Sequence, residues 1–167
     1  MLTPNSHMNP VYCTEEKNSV KNYLDSSGWI MEHTKTRELE SLICEYTGAR
    51  YAHMVPSATM GLLLCSMIAN INNREIFDCP AYTQAATANG AILLGGVPRF
   101  VDVDPNSYTI NFSQIKSRVV FVTSINGRTP PNYYKEIKKL KDKGHFVIED
   151  AAQSLGSWHK DKHIGTI

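Results

Sequence analysis

The sequence predicts an α/β protein, a mainly parallel sheet with helices on both faces. Three observations carry that reading. Short apolar runs at 75–79, 97–103, 119–123 and 146–149 alternate with longer stretches of helical period. Proline or glycine stands beside most of them, at Pro80, Gly95-Gly96 and Gly144. An acid, Asp150, follows the last run, at the place where open α/β sheets hold their ligands.

In chain order, residues 1–13 read as an N-terminal segment ahead of one domain, 14–167. Thr14, followed by Glu15 and Glu16, reads as a hydroxyl cap and two acids favoured by the helix dipole. Val20, Tyr23 and Leu24 give that helix an apolar face, and Ser26-Ser-Gly28 ends it. Trp29, Ile30 and Met31 form an extended linker. Leu39, Leu42, Ile43 and Tyr46 recur at helical spacing, with Gly48 as the C-cap glycine. Residues 51–55 read as a short strand ended by Pro56. Residues 57–70 read as a helix that is apolar nearly all round and therefore buried on several sides. Strand 75–79 and an alanine-rich helix at 83–94 follow, then strand 97–103, closed by the turn Asp104-Pro105-Asn106. Ile110, Phe112 and Ile115 suggest a short amphipathic piece before strand 119–123. Residues 127–131 are a loop. Helix 133–143 turns Tyr134, Ile137 and Leu140 inward and its lysines outward, and strand 146–149 completes the series.

Composition removes several function classes. The net charge is +1, with no basic patch for nucleic acid and no acidic tail. No apolar run approaches the roughly 20 residues of a membrane helix, and the N-terminal residues lack the regions of a signal peptide. Cys13, Cys44, Cys65 and Cys79 show no CxxC spacing, which argues against a disulfide framework or zinc site and for a cytoplasmic setting. His159 and His163 flank a Lys-Asp-Lys turn rather than sit on a clear helix, with no Glu between them, and read as solvated turn residues.

Two stretches carry candidate chemistry. Asp150 reads either as the N-cap of a following helix or as a carboxylate poised for a cationic ligand. Ser57-Ala-Thr-Met-Gly61 joins a strand to a helix. Its free N–H groups and two hydroxyls read either as a plain cap or as a phosphate site. Neither a GxxxxGK[ST] loop nor a GxGxxG fingerprint is present. Both stretches would face one sheet edge. A phosphate-bearing ligand with a cationic ring nitrogen satisfies both, and pyridoxal 5'-phosphate is such a ligand.

The order Leu39-Glu40, Gly48-Ala-Arg-Tyr-Ala52, Ser57-Ala-Thr59, Pro80-Ala-Tyr-Thr83, Ala86-Thr-Ala-Asn89, Gly95-Gly-Val-Pro-Arg-Phe-Val-Asp-Val-Asp104, Asn126-Gly127, Glu149-Asp-Ala-Ala-Gln153, Gly156 and Gly165-Thr166 resembles the DegT/DnrJ/EryC1/StrS family of sugar aminotransferases. The resemblance runs from about Pro10 to the end. It implies the large domain of a fold-type I, pyridoxal-phosphate-dependent aminotransferase, truncated. It further implies a homodimer that moves an amino group from glutamate to a nucleotide-linked keto sugar for deoxyamino-sugar biosynthesis.

By the same resemblance, Asp150 partners the pyridine nitrogen and Gln153 contacts the ring's hydroxyl side. Thr59 binds the phosphate, helped by the N–H groups of Ala58 and Met60, with Ser57 beside them. Gln84 stands where family members often stack an aromatic ring, and Ala58 where many have glycine. The family's Schiff-base lysine follows a Gly-Thr-x-Gly-Asp segment, and this chain stops at Ile167 inside it. Lys160 and Lys162 come too early and read as turn residues. The last strands, that lysine and the small C-terminal domain are therefore expected to be absent, and the chain alone inactive. The rival expectations are a non-catalytic remnant that keeps the cradle, a sugar dehydratase of the same family, and an unrelated nucleotide-binding domain.

Overall fold

The computed structural model describes residues 12–26 and 34–166. The expected linker at Trp29–Met31 and most of the N-terminal segment lie outside them. The chain divides into two units, residues 1–39 and 40–167. The first holds α1 (Thr14–Asp25) and the start of α2 (Thr34–Thr47). Cys13, rather than Thr14, occupies the α1 cap position, and its N–H donates to the Glu16 carboxylate at 2.6 Å. No α1 residue is buried.

The second unit is built on a four-stranded sheet: β1 (Ile76–Pro80), β2 (Val97–Val101), β3 (Val119–Thr123) and β4 (Phe146–Asp150), in the order β2-β1-β3-β4 and parallel throughout. A parallel pair needs a crossover, usually a helix. Here α4 (Ala86–Leu93) links β1 to β2 and α5 (Tyr133–Asp142) links β3 to β4. β3 is buried along its whole length. Its alternation sends Val119 and Phe121 to one core, with Phe77, Leu62 and Ala91, and Val120 and Val122 to the other, with Tyr133, Ile137 and Leu140. The expected layering, helices on both faces of a parallel sheet, is what the molecule shows.

α3 (Ala58–Ile68) packs on α4 at Gly90. A Cβ there would lie 2.7 Å from Leu63 Cα, closer than non-bonded carbons approach, so glycine is what lets the two backbones meet. On the other face, the inward stripe of α5 is Tyr133, Ile137 and Leu140. Tyr134 was expected inward; it is half-buried and stacks on His159 instead. Tyr133 wins because its hydroxyl reaches Glu149 Oε2 on β4 at 3.0 Å.

Two other expectations fail. Residues 51–55 form no strand, because no neighbouring strand accepts their ladder. Met54 N–H bonds instead to Glu40 Oε1 at 2.9 Å. Nor is α3 buried on several sides: α4 and the sheet cover the face bearing Leu62 and Ser66, while Met60, Leu64, Met67 and Ile68 are exposed. After β4 the chain makes turns and a two-stranded hairpin, β5 (Trp158–His159) and β6 (Lys162–His163).

Candidate active site

The strand order reverses direction between β1 and β3. From β1 the chain steps outward to β2; from β3 it steps the opposite way to β4. Strand-to-helix loops at such a point diverge and leave a crevice at the carboxyl ends of the strands. A hollow lies there. Ala58 and Leu62 of α3 form one wall, Thr83 and Gln84 after β1 another. The end of β3 with the loop to Ile125, and Asp150 with Ala152 and Gln153, complete it. Of the residues expected to form a site, Ala58, Gln84, Asp150 and Gln153 are brought together. Ser57, Thr59 and Met60 are exposed and lie outside that lining, at the start of the same helix α3. The hollow encloses about 110 Å³, below the few hundred of a complete small-molecule pocket.

Asp150 is the last residue of β4, in register with Thr123 at the end of β3. No helix follows it, which removes the N-cap reading: the chain turns at Ala152 and Gln153. Its Oδ2 accepts from Thr87 Oγ1 at 2.7 Å and its Oδ1 from Ala152 N–H at 3.3 Å. An ionised carboxylate has about four lone-pair positions. Two are filled here, and among the described residues no cation pairs with it. Behind it on β1, the Cys79 thiol is pushed up to about 12, first by burial and then by the Asp150 charge.

Gln153 has its orientation set by the backbone. Its Oε1 accepts from Asn126 N–H at 2.8 Å, which assigns the amide and leaves its NH₂ as the free donor. Asn126 sits at φ 54° inside the 3₁₀ turn Ile125–Gly127, a left-handed position that asparagine tolerates. A bond of 2.7 Å between the Ser124 and Ser154 hydroxyls ties the loops after β3 and β4 together.

At the start of α3, Ser57 is a true N-cap, its Oγ accepting from Met60 N–H at 3.3 Å. Met60 N–H, expected to serve a phosphate, is thereby engaged. The N–H groups of Ala58 and Thr59 remain without a partner among the described residues, the arrangement that favours an anion at a helix start. Thr123 Oγ1, in the wall at the end of β3, is buried with no partner. A buried hydroxyl without a partner is unusual and points to a bound group or water. Among the described residues no aromatic ring lines the hollow; Tyr82 instead pairs with Tyr108, ring centres 5.5 Å apart.

Lys160 and Lys162 fall in and beside the β5–β6 turn, Lys162 Nζ lying 5.4 Å from the centre of the Tyr134 ring, and neither lines the hollow. His163 was expected to be solvated. It is buried, its Nε2 accepting from Gly156 N–H at 2.9 Å. Among the described residues no group of His, Cys, Asp and Glu side chains is placed to hold a metal, and no helix is long and apolar enough to cross a membrane.

This parallel α/β fold matches solved structures of pyridoxal-phosphate-dependent aminotransferases and their relatives. One is a GDP-4-keto-6-deoxymannose-3-dehydratase solved with a trapped PLP-glutamate geminal diamine: TM-score 0.82, 21% identity, 94% of this chain and 43% of that one. Another is a DegT DnrJ EryC1 StrS aminotransferase from Brucella abortus: TM-score 0.75, 27% identity, 84% and 40%. Residues 11–167 match the DegT/DnrJ/EryC1/StrS aminotransferase family, and the chain belongs to it. An uncharacterised Methanocaldococcus jannaschii protein, MJ1066, is 36% identical over 163 residues. The chain spans 42% of that relative's length.

Proposed function

We propose that this chain is the cofactor-binding part of a pyridoxal-phosphate-dependent enzyme that aminates a nucleotide-linked keto sugar. Glutamate is the amino donor, the setting cytoplasmic and the whole enzyme a homodimer. The single observation behind this is Asp150: a half-buried carboxylate at the switch point, with lone pairs to spare and no cation of its own. The residues around it fit the group. Asp150 would accept from a protonated ring nitrogen, the Gln153 NH₂ would donate to the ring's hydroxyl oxygen, and the Ala58 and Thr59 N–H groups with the Thr59 hydroxyl would meet the phosphate. Gln84 would lie against the ring with less apolar contact than an aromatic gives. When bound, the cofactor supplies an electron sink for bond changes at a carbon attached to nitrogen.

Among the described residues no lysine lines the hollow, so on this reading the chain alone holds the cofactor without a covalent bond and does not transaminate. A dehydratase of the same family would use the same wall, and it differs in what stands at the lysine position. The test is to mix the chain with pyridoxal phosphate, reduce with borohydride and map adducts. The expected result is reversible binding with no lysine adduct. A stoichiometric adduct on a lysine of this chain would overturn the reading.

A further inference from the structure

Resting on that reading, we infer that Thr87 is a positioning residue, which with Thr83 forms a one-way hydrogen-bond chain that fixes the plane of the Asp150 carboxylate. Thr87 is fully buried in the first turn of α4 and does not line the hollow. Its Oγ1 lies 2.7 Å from Asp150 Oδ2 and 2.8 Å from Thr83 Oγ1. A hydroxyl has one proton, and an ionised carboxylate only accepts. Thr87 therefore donates to Asp150, and the Thr83 hydroxyl must donate to Thr87. The direction of the chain runs from the rim, where Thr83 lines the hollow, to the carboxylate.

These hydroxyls do not serve the helix they sit beside. The α4 cap residue is Ala85 and no side chain caps that end. The buried helical hydroxyls of Thr47 and Ser66, by contrast, bond back to their own helices, Thr47 to Ile43 C=O and Ser66 to Leu62 C=O. Thr87 instead reaches across 63 residues of sequence. The other carboxylate oxygen has only the longer bond from Ala152 N–H. Without Thr87 the carboxylate would be free to turn about its terminal torsion, which is soft. A ring nitrogen needs one oxygen held in the ring plane, and Thr87 is the group that holds the plane.

The test uses ring-¹⁵N pyridoxal 5'-phosphate, titrated into the wild-type chain and into Thr87→Val, Thr87→Ser and Asp150→Asn. Affinity and the ¹⁵N shift of the ring nitrogen are both followed against pH. Thr87→Val is expected to weaken binding about tenfold or more, the loss of one hydrogen bond to a charged group. In that variant the ring nitrogen should lose its proton at lower pH, and Thr87→Ser should restore both. A merely structural threonine would alter melting without moving the ¹⁵N titration, and wild-type behaviour in Thr87→Val overturns the inference. If Thr87→Val does not fold, Thr83→Val decides: a change in the same direction supports the chain, and none refutes it. The two levels separate cleanly. Wild-type binding lost in Asp150→Asn but indifferent to Thr87→Val sinks only the Thr87 role. No wild-type binding, or equal binding by Asp150→Asn, sinks the cofactor reading and this inference with it.

Discussion

Asp78 on β1 and Asp150 on β4 belong to one sheet, with β3 between them, and differ in almost every physical respect. Asp78, in the middle of β1, is fully buried and accepts five hydrogen bonds: two from the Arg99 guanidinium at 2.7 and 2.6 Å, and others from Lys116 N–H, Ser117 N–H and Ser117 Oγ. Burial pushes its carboxyl up, but the Arg99 fork and the Ser117 and Lys116 donors outweigh this and hold it below its ordinary 3.8. It ties the start of β3 to β1 and β2, and nothing more can bind it. Among the described residues Asp150 has two donors and no cation, and it lines the hollow. A saturated carboxylate ties strands together; an unsaturated one facing a hollow has lone pairs left to accept further donors.

The comparison is broken or sharpened by making the same change at both positions. Asp78→Asn is expected to lower unfolding free energy by about 3–5 kcal/mol, since it strands the Arg99 charge and turns an NH₂ toward backbone donors. Urea unfolding measures this. The sign of the pH effect follows from the lowered carboxyl: the stability Asp78 provides is present above pH 3.8 and is lost as pH falls through its lower folded value. The variant should therefore show a flatter acid limb. Asp150→Asn keeps an acceptor for Thr87, so its stability should change by less than about 1 kcal/mol, while pyridoxal phosphate affinity collapses. If Asp150→Asn instead unfolds the protein as Asp78→Asn does, the contrast is false.

Smaller effects sharpen the same division. Gly90→Ala forces a methyl against the Leu63 backbone and should cost about 1–3 kcal/mol. It displaces α4, which carries Thr87, so cofactor affinity should fall with stability. Glu149 supplies the smallest effect. Burial raises its carboxyl above the ordinary 4.5, although Tyr133, Gly165 N–H and the Lys141 charge oppose this. A raised carboxyl favours the fold below pH 4.5, and that contribution is lost as pH rises through its folded value. Glu149→Gln keeps an acceptor for Tyr133 and Gly165, both of which bond Oε2. Its melting temperature should therefore fall less than wild type's between acid and neutral pH.

The sheet was legible because each strand is a short apolar run bounded by turn residues, a local signal. The run at 51–55 misled for the same reason: a strand needs a partner, and a partner is not a property of the segment. The α3 pattern showed that the helix was apolar but not which sides are covered. At the site, Asp150 stood out as an acid at a strand end and Ala58 as part of a hydroxyl-rich helix start, while Gln153 and Gln84 were singled out only by the family resemblance. Thr87, Thr123 and the Asn126 backbone were given no role by the sequence. Their roles come from contacts between segments far apart in sequence, as with Asn126 and Gln153, 27 residues apart. Nor did Asp78 announce itself, since a carboxylate inside a strand acquires meaning only from the arginine and serine that fold against it.

The most direct measurement is a crystal structure of this protein with pyridoxal phosphate bound. The account predicts the ring nitrogen within hydrogen-bond distance of an Asp150 carboxylate oxygen, about 2.7–3.2 Å, with Thr87 still bonded to Asp150 and the phosphate at the start of α3. A ring bound elsewhere, or bound in the hollow with its nitrogen turned away from Asp150, would contradict it.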